Sequence, residues 1–455
     1  MVEAAHRYAR IAADRARRVY AHGEAEEFFK IARETSASDA ERIDLEERLG
    51  DVYDTVGMYG KGVACYTRAH DLGPGDAAAS LRLRRKSVAL ERKAALSPAP
   101  TLLQQVRSLL AEAADHPRER CELLLEFTNL PNASGTTEAA EEAVRIAGEL
   151  GDSLLLADAL QRVAVVHIFG GGRPTEAFAY LQRAQELVTL VGDPLRSAVY
   201  YAIAGIAHAK LGEYLDARRE FTGMLEISER LGDPRKIGVA CNNLGAVLLR
   251  LGECEEARQL LERALVLHQR RDRSALVQSS FNLAELHRLT GDLSTAIEHY
   301  AHLLERAREF EYWSSEAVAQ AGLGLSHLEA GRLEEARECA WRAVAVVADR
   351  EEWFEDRNIV ETLLARLEAL DGQADVAAQR LVRVAEALQA ADVYLWAMVQ
   401  IERARLVREA DPGSASAIVF TVLEGTARMQ SPLLHDQIAV LRESLPQLPT
   451  HEQVT

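Results

Sequence analysis

The stretch VACNNLGAVLLRLGECEEARQLLERAL, residues 239–265, decides how the rest of the chain is read. It has the apolar spacing of two short amphipathic helices joined by a turn. Leu244 and Gly245 lie midway along the first helix, Gly252 ends it, and Ala257, Leu261 and Ala264 share one face of the second. Gly245 and Ala257 have almost no side chain, so the two helix axes can approach to the short end of the usual packing distance. Gly252 supplies the left-handed residue that stops the first helix. A single hairpin of this kind leaves its outer apolar face exposed, so more copies are expected along the chain.

Positions equivalent to Leu244 are Val163, Ala204, Leu283, Leu323 and Leu364, and subtracting neighbours gives separations of 41, 40, 39, 40 and 41. Turn glycines recur in step at Gly172, Gly212, Gly252, Gly291, Gly331 and Gly372. The second-helix alanines follow at Ala177, Ala217, Ala257, Ala296, Ala336 and Ala377. These offsets resemble the tetratricopeptide repeat, which places small residues where paired helices touch. The resemblance implies an all-α fold: a right-handed superhelical solenoid of about eleven helix-turn-helix repeats with a C-terminal capping helix.

The first helix pair is read within Val2–Ala32, and residues 43–76 come nearest to a 34-residue repeat. Residues 77–114 form a divergent pair split by Ser97-Pro98-Ala99-Pro100, because proline ends the helix before it. Residues 1–115 are therefore expected to hold irregular N-terminal repeats, 116–430 the regular array and 431–455 a capping helix with a polar tail. Pro131 is expected to shorten the helix before it. Gly151-Asp152, Gly192-Asp193-Pro194 and Gly232-Asp233-Pro234 form a repeated connector. Its glycine closes one helix, its aspartate caps the next, and proline fills the first turn. Trp313, Trp353 and Tyr394 recur near the later joints, either as wedges or as docking aromatics.

A formal net charge of −17 argues against a nucleic-acid partner, which calls for clustered positive charge. Five scattered cysteines without a CxxC read as buried free thiols of a reducing cytoplasm. Arginines near the N-terminus interrupt any signal-peptide core, and no apolar run reaches membrane-spanning length. A cytoplasmic protein is expected, and the arginine- and alanine-rich composition suggests a GC-rich bacterial gene.

No phosphate loop is present, Gly170-Gly171-Gly172 reads as a turn, and Gly322 and Gly324 read as packing positions. His299 and His302 lie three apart on one helix but lack a third ligand nearby in sequence, so no metal site is assigned. His167, His208, His287 and His327 occupy one repeat position and read as packing histidines. No catalytic arrangement and no cofactor motif is found, so the chain is read as a non-enzyme. The basic run Arg82, Arg84, Arg85, Lys86, Arg92 and Lys93 reads as a solvated helix face.

In tetratricopeptide arrays the first helix of each pair lines a concave groove. Carried to this sequence, that implies a partner site at Gln161, Arg162, Asn242, Asn243, Arg250, Gln278, Asn282, Glu285, Arg288 and Arg366. Asn243 and Asn282 hold the same slot in adjacent repeats, where an amide offers a peptide backbone both donor and acceptor. The expected partner is a protein or peptide. The spacing and connectors also resemble the sensor arrays of bacterial signal-transduction NTPases and large transcriptional activators. Neither the nucleotide module nor the DNA-binding helix pair of those proteins is found here. A binding scaffold, a ligand-sensing regulatory subunit and an enzyme accessory subunit are the readings left open.

Overall fold

The computed structural model describes residues 2–18, 21–94, 96–130, 133–170, 173–269, 273–348 and 357–445. Among these the chain forms 23 helices and no strand. In order they are α1 (Val2–Arg18), α2 (His22–Glu34), α3 (Asp39–Thr55), α4 (Tyr59–Asp71), α5 (Ala77–Lys93), α6 (Ala99–Glu112), α7 (Pro117–Phe127) and α8 (Thr136–Leu150). Then come α9 (Ser153–Phe169), α10 (Pro174–Val191), α11 (Pro194–Lys210), α12 (Tyr214–Leu231), α13 (Pro234–Arg250), α14 (Cys254–His268), α15 (Arg273–Leu289) and α16 (Leu293–Glu309). The last are α17 (Trp313–Glu329), α18 (Leu333–Val347), α19 (Arg357–Leu370), α20 (Ala374–Leu388), α21 (Val393–Val407), α22 (Pro412–Gly425) and α23 (Pro432–Glu443).

The hairpin read from residues 239–265 is α13 and α14. A side chain at Gly245 would sit 2.8 Å from Leu261 Cγ and 3.1 Å from the Ala257 carbonyl oxygen, so only glycine lets the helices meet there. Ala257 is fully buried at the same crossing. Ala257→Leu is expected to overpack this contact and cost about 1–3 kcal/mol, read as a lower urea midpoint at unchanged slope. An unchanged midpoint would place the crossing elsewhere. Gly252 turns the chain with φ +79°, and Gly212, Gly291, Gly331 and Gly372 repeat that left-handed turn. Gly172, Pro131 and Trp353 lie outside the described residues.

The connectors behave as their chemistry dictates. Asp152 Oδ1 accepts from the Leu154 and Leu155 amides at 3.0 Å, capping α9, and Asp193 does the same for Leu195 and Arg196. Burial pushes the Cys65 and Cys121 thiols up to about 12 and those of Cys241 and Cys339 to about 11, so these cysteines pack as apolar groups.

The chain divides into two compact units. The first comprises Met1–Gly170, Ala179–Tyr200 and Leu231–Asp233; the second comprises Gly171–Phe178, Tyr201–Arg230 and Pro234–Thr455. In the first unit the basic run is not a solvated face. Arg82 and Lys86 bind Glu47 of α3, and Lys93 binds Asp54. Arg84 binds Glu112, Arg85 binds Glu122 and Arg92 binds Glu126. The six cations of α5 thus pair with carboxylates of α3, α6 and α7, a seam that ties the divergent pair to its neighbours. In the second unit one core runs from Tyr214 through Leu248, Leu283, Leu381 and Val422 to Leu441. The terminal helix α23 packs on α21 and α22 and also reaches α13.

Candidate functional site

The site residues read from the sequence fall into three settings. Gln161 and Arg162 belong to the first unit. Gln161 is buried and donates to the Arg196 carbonyl oxygen at 3.2 Å. Arg162 is half-buried and makes no hydrogen bond or ion pair among the described residues. Burial lowers its pKa, Glu126 opposes that, and Arg92 adds to it.

Arg250, Glu285, Arg288 and Arg366 lie in the second unit, and the last three are drawn into one network of charges across successive helices. Arg288 donates to both Glu285 oxygens, at 3.0 and 2.9 Å, and to Glu329 of α17 at 2.8 Å. Glu285 also accepts from the Tyr300 hydroxyl of α16. Arg366 of α19 bridges Glu329 at 2.9 Å and Glu402 of α21 at 2.6 and 3.0 Å. Arg405 donates to Glu402 and to Gln437 of α23 at 3.2 Å. Burial raises the Glu285 pKa, but Arg288, Tyr300 and Arg250 more than reverse this, so the carboxyl titrates below the ordinary glutamate range. Glu402 behaves the same way, through Arg366 and Arg405.

Arg250 ends α13 with its guanidinium carbon 4.0 Å from the centroid of the Tyr394 ring. That is cation–π geometry, worth most when the pair is desolvated. Glu329, Glu402, Arg405 and Tyr300 were not among the residues read from sequence. For Glu402 and Arg405 the signal was a Glu-x-x-Arg spacing shared with Glu285–Arg288, which puts opposite charges on one helix face.

The third setting is an amide ladder. Asn282 of α15 donates its side-chain N–H to Asn242 Oδ1 of α13 at 2.9 Å. Asn242 in turn donates to Asn243 Oδ1 at 3.2 Å. The chain of bonds ends in an Asn243 amide group, a donor, and an Asn282 side-chain carbonyl, an acceptor; neither has a partner among the described residues. Both residues are half-buried, and Gln278, one turn earlier on α15, is exposed.

Three of the four histidines at the recurrent position pack against rings. His167 stacks on Tyr180 at 5.4 Å, and His208 tilts over Phe178 at 4.6 Å. His287 stacks on His299 at 5.1 Å, an arrangement in which parallel rings do not converge their lone pairs on one ion. His208, Glu213 and Asp216 bring ligand atoms within 4.8 Å of one another. There Glu213 bonds the His208 ring at 2.6 Å and Arg219 holds Asp216 at 2.7 Å. Among the described residues no helix is long and apolar enough to cross a membrane.

The sequence pattern described as tetratricopeptide repeat matches residues 195–270 and 273–348, the hairpins that carry the ladder and Glu285. These two stretches are tetratricopeptide repeats. Solved structures agree as to fold. A STAND signal-transduction ATPase with a tetratricopeptide repeat sensor from Pyrococcus horikoshii is similar over 86% of this chain at 17% identity and a TM-score of 0.53. This chain spans 56% of that protein's length. A Rap protein, solved in complex with Competence and Sporulation Factor, is similar over 88% of this chain and 99% of its own, at 12% identity and a TM-score of 0.53. No curated protein sequence matches. Tetratricopeptide hairpins of this kind serve as scaffolds for protein interaction or sensing.

Proposed function

We propose that this tetratricopeptide chain is a non-catalytic scaffold that binds an extended protein or peptide segment along the first helices of its hairpins. In the second unit the contact falls on the faces of α13 and α15. The observation that carries this is the ladder Asn282–Asn242–Asn243. Its internal bonds hold three amides in fixed orientation, and its two ends offer one donor and one acceptor. That is what the C=O and N–H of a peptide backbone take up. Gln278 lies exposed beside it, while Glu285 and Arg288 fix α15 through the charge network that continues to Arg366, and Arg250 of α13 rests on the Tyr394 ring.

Selection from a random peptide display library, followed by calorimetry on the best binder, tests the reading. Asn243→Ala with Asn282→Ala removes about two hydrogen bonds worth on the order of 0.5–1.5 kcal/mol each, so affinity falls roughly 5- to 150-fold. Helicity stays near wild type, while the urea midpoint falls modestly because the buried Asn242 amide loses both of its partners. Undiminished affinity in the double variant rejects the ladder as the contact. A second reading, a sensor whose occupancy is relayed to another domain, is supported by the STAND neighbour, whose repeats are described as a sensor.

A further inference from the structure

The last helices of the second unit do more than end the array. Asp392, the N-cap of α21, lies 3.9 Å from the Lys210 ammonium at the end of α11. Tyr394 packs edge-on against Tyr214 at 6.3 Å between centroids and lies under the Arg250 guanidinium. Met429 packs on Gly212, and Pro432 packs 3.4 Å from where a Gly252 side chain would begin. These two glycines, already required for left-handed turns, also leave the room those side chains occupy. A local end cap needs none of these contacts with hairpins so distant in sequence.

We infer that residues 392–441 form a reversible latch, docked in cis on an interaction surface made by Lys210, Gly212, Tyr214, Arg250 and Gly252. The contact is part of the second unit's core, but it leaves two polar groups stranded. The Tyr394 hydroxyl and the Ser431 hydroxyl are both buried there without a hydrogen-bond partner among the described residues. Opening returns both to water, which lowers the cost of undocking. The vacated surface presents two cations and a tyrosine, so its chemistry suits a segment carrying a carboxylate and an aromatic ring, as Asp392 and Tyr394 do. The latch stands independently of the asparagine ladder, because its test needs no partner.

Hydrogen exchange on the full chain reads it. In the wild type, α23 amides exchange faster than those of α16–α18. Tyr394→Phe keeps the ring over Arg250 and removes the stranded hydroxyl, so α23 exchange slows roughly 5- to 150-fold. Tyr394→Ala speeds it. A staple gives a second route: a side chain at Gly212 would place its Cβ 3.7 Å from Met429 Cβ, within the span of a disulfide at about 3.5–4.5 Å. Oxidised Gly212→Cys with Met429→Cys therefore protects α23 and leaves α16–α18 unchanged, and reduction reverses the protection. Equal exchange in α23 and α16–α18, or Tyr394→Phe speeding exchange, overturns the latch. Should the cysteine pair prevent folding, the Tyr394 variants decide.

Discussion

Glu285→Leu is expected to destabilise the second unit by about 3–5 kcal/mol, because it removes one partner of a buried ion pair and keeps the volume. Glu285 is 9% exposed, holds Arg288 through two bonds and accepts from Tyr300. The leucine leaves the guanidinium with Glu329 alone and two of its donors unpaired, rather than opening a cavity. Adding Arg288→Met should recover most of the loss, since a buried pair replaced by apolar groups is often neutral. Urea unfolding of the two variants separates these outcomes; equal loss in both would mean that the charge pair is not the cause. The same carboxylates set a pH dependence. Glu285 and Glu402 have folded pKa values below their unfolded value of about 4.3. Their contribution is therefore fully present above that unfolded value and is lost as pH falls through the folded one. Acid titration of Glu285→Leu should show a shallower decline in stability below about pH 4.3 than the wild type.

Tyr300→Ala is expected to cost about 3–5 kcal/mol, the range for emptying a large aromatic site. Tyr300 is fully buried, and its ring fills the space that the missing side chain of Gly322 leaves on α17. Tyr300→Phe keeps that packing and removes only the bond to Glu285, for about 1.5–3 kcal/mol. A double-mutant cycle between Tyr300→Phe and Glu285→Leu should give a coupling of roughly 0.5–3 kcal/mol. Zero coupling would mean that the hydroxyl and carboxylate act separately.

The hairpins were legible because their determinants are local. Gly245 against Leu261, and Gly252 in its left-handed turn, follow from steric facts within one repeat. Capping by Asp152 and Asp193 was legible for the same reason. The charge network was half legible. Glu285, Arg288 and Arg366 were found as groove-facing positions of successive first helices, but the bonds of Arg366 to Glu329 and Glu402 run one repeat away. Slot-by-slot charge alternation carries that information, and residue type alone does not. The run from Arg82 to Lys93 resembled a solvated face because its counter-charges, Glu47, Glu112, Glu122 and Glu126, sit on other helices. Packing of Tyr394 on Tyr214 and Arg250 had no signal in the repeat pattern, since it joins hairpins that periodicity treats as distant.

The ladder's role is tested most directly by the side-chain amide NMR signals of Asn243 and Asn282 during titration with a display-selected peptide. If the ladder holds the ligand's backbone, both signals shift in proportion to occupancy, and the Asn243 side-chain N–H protons become protected as they bond a ligand carbonyl. Saturation of binding with both signals unmoved would contradict it.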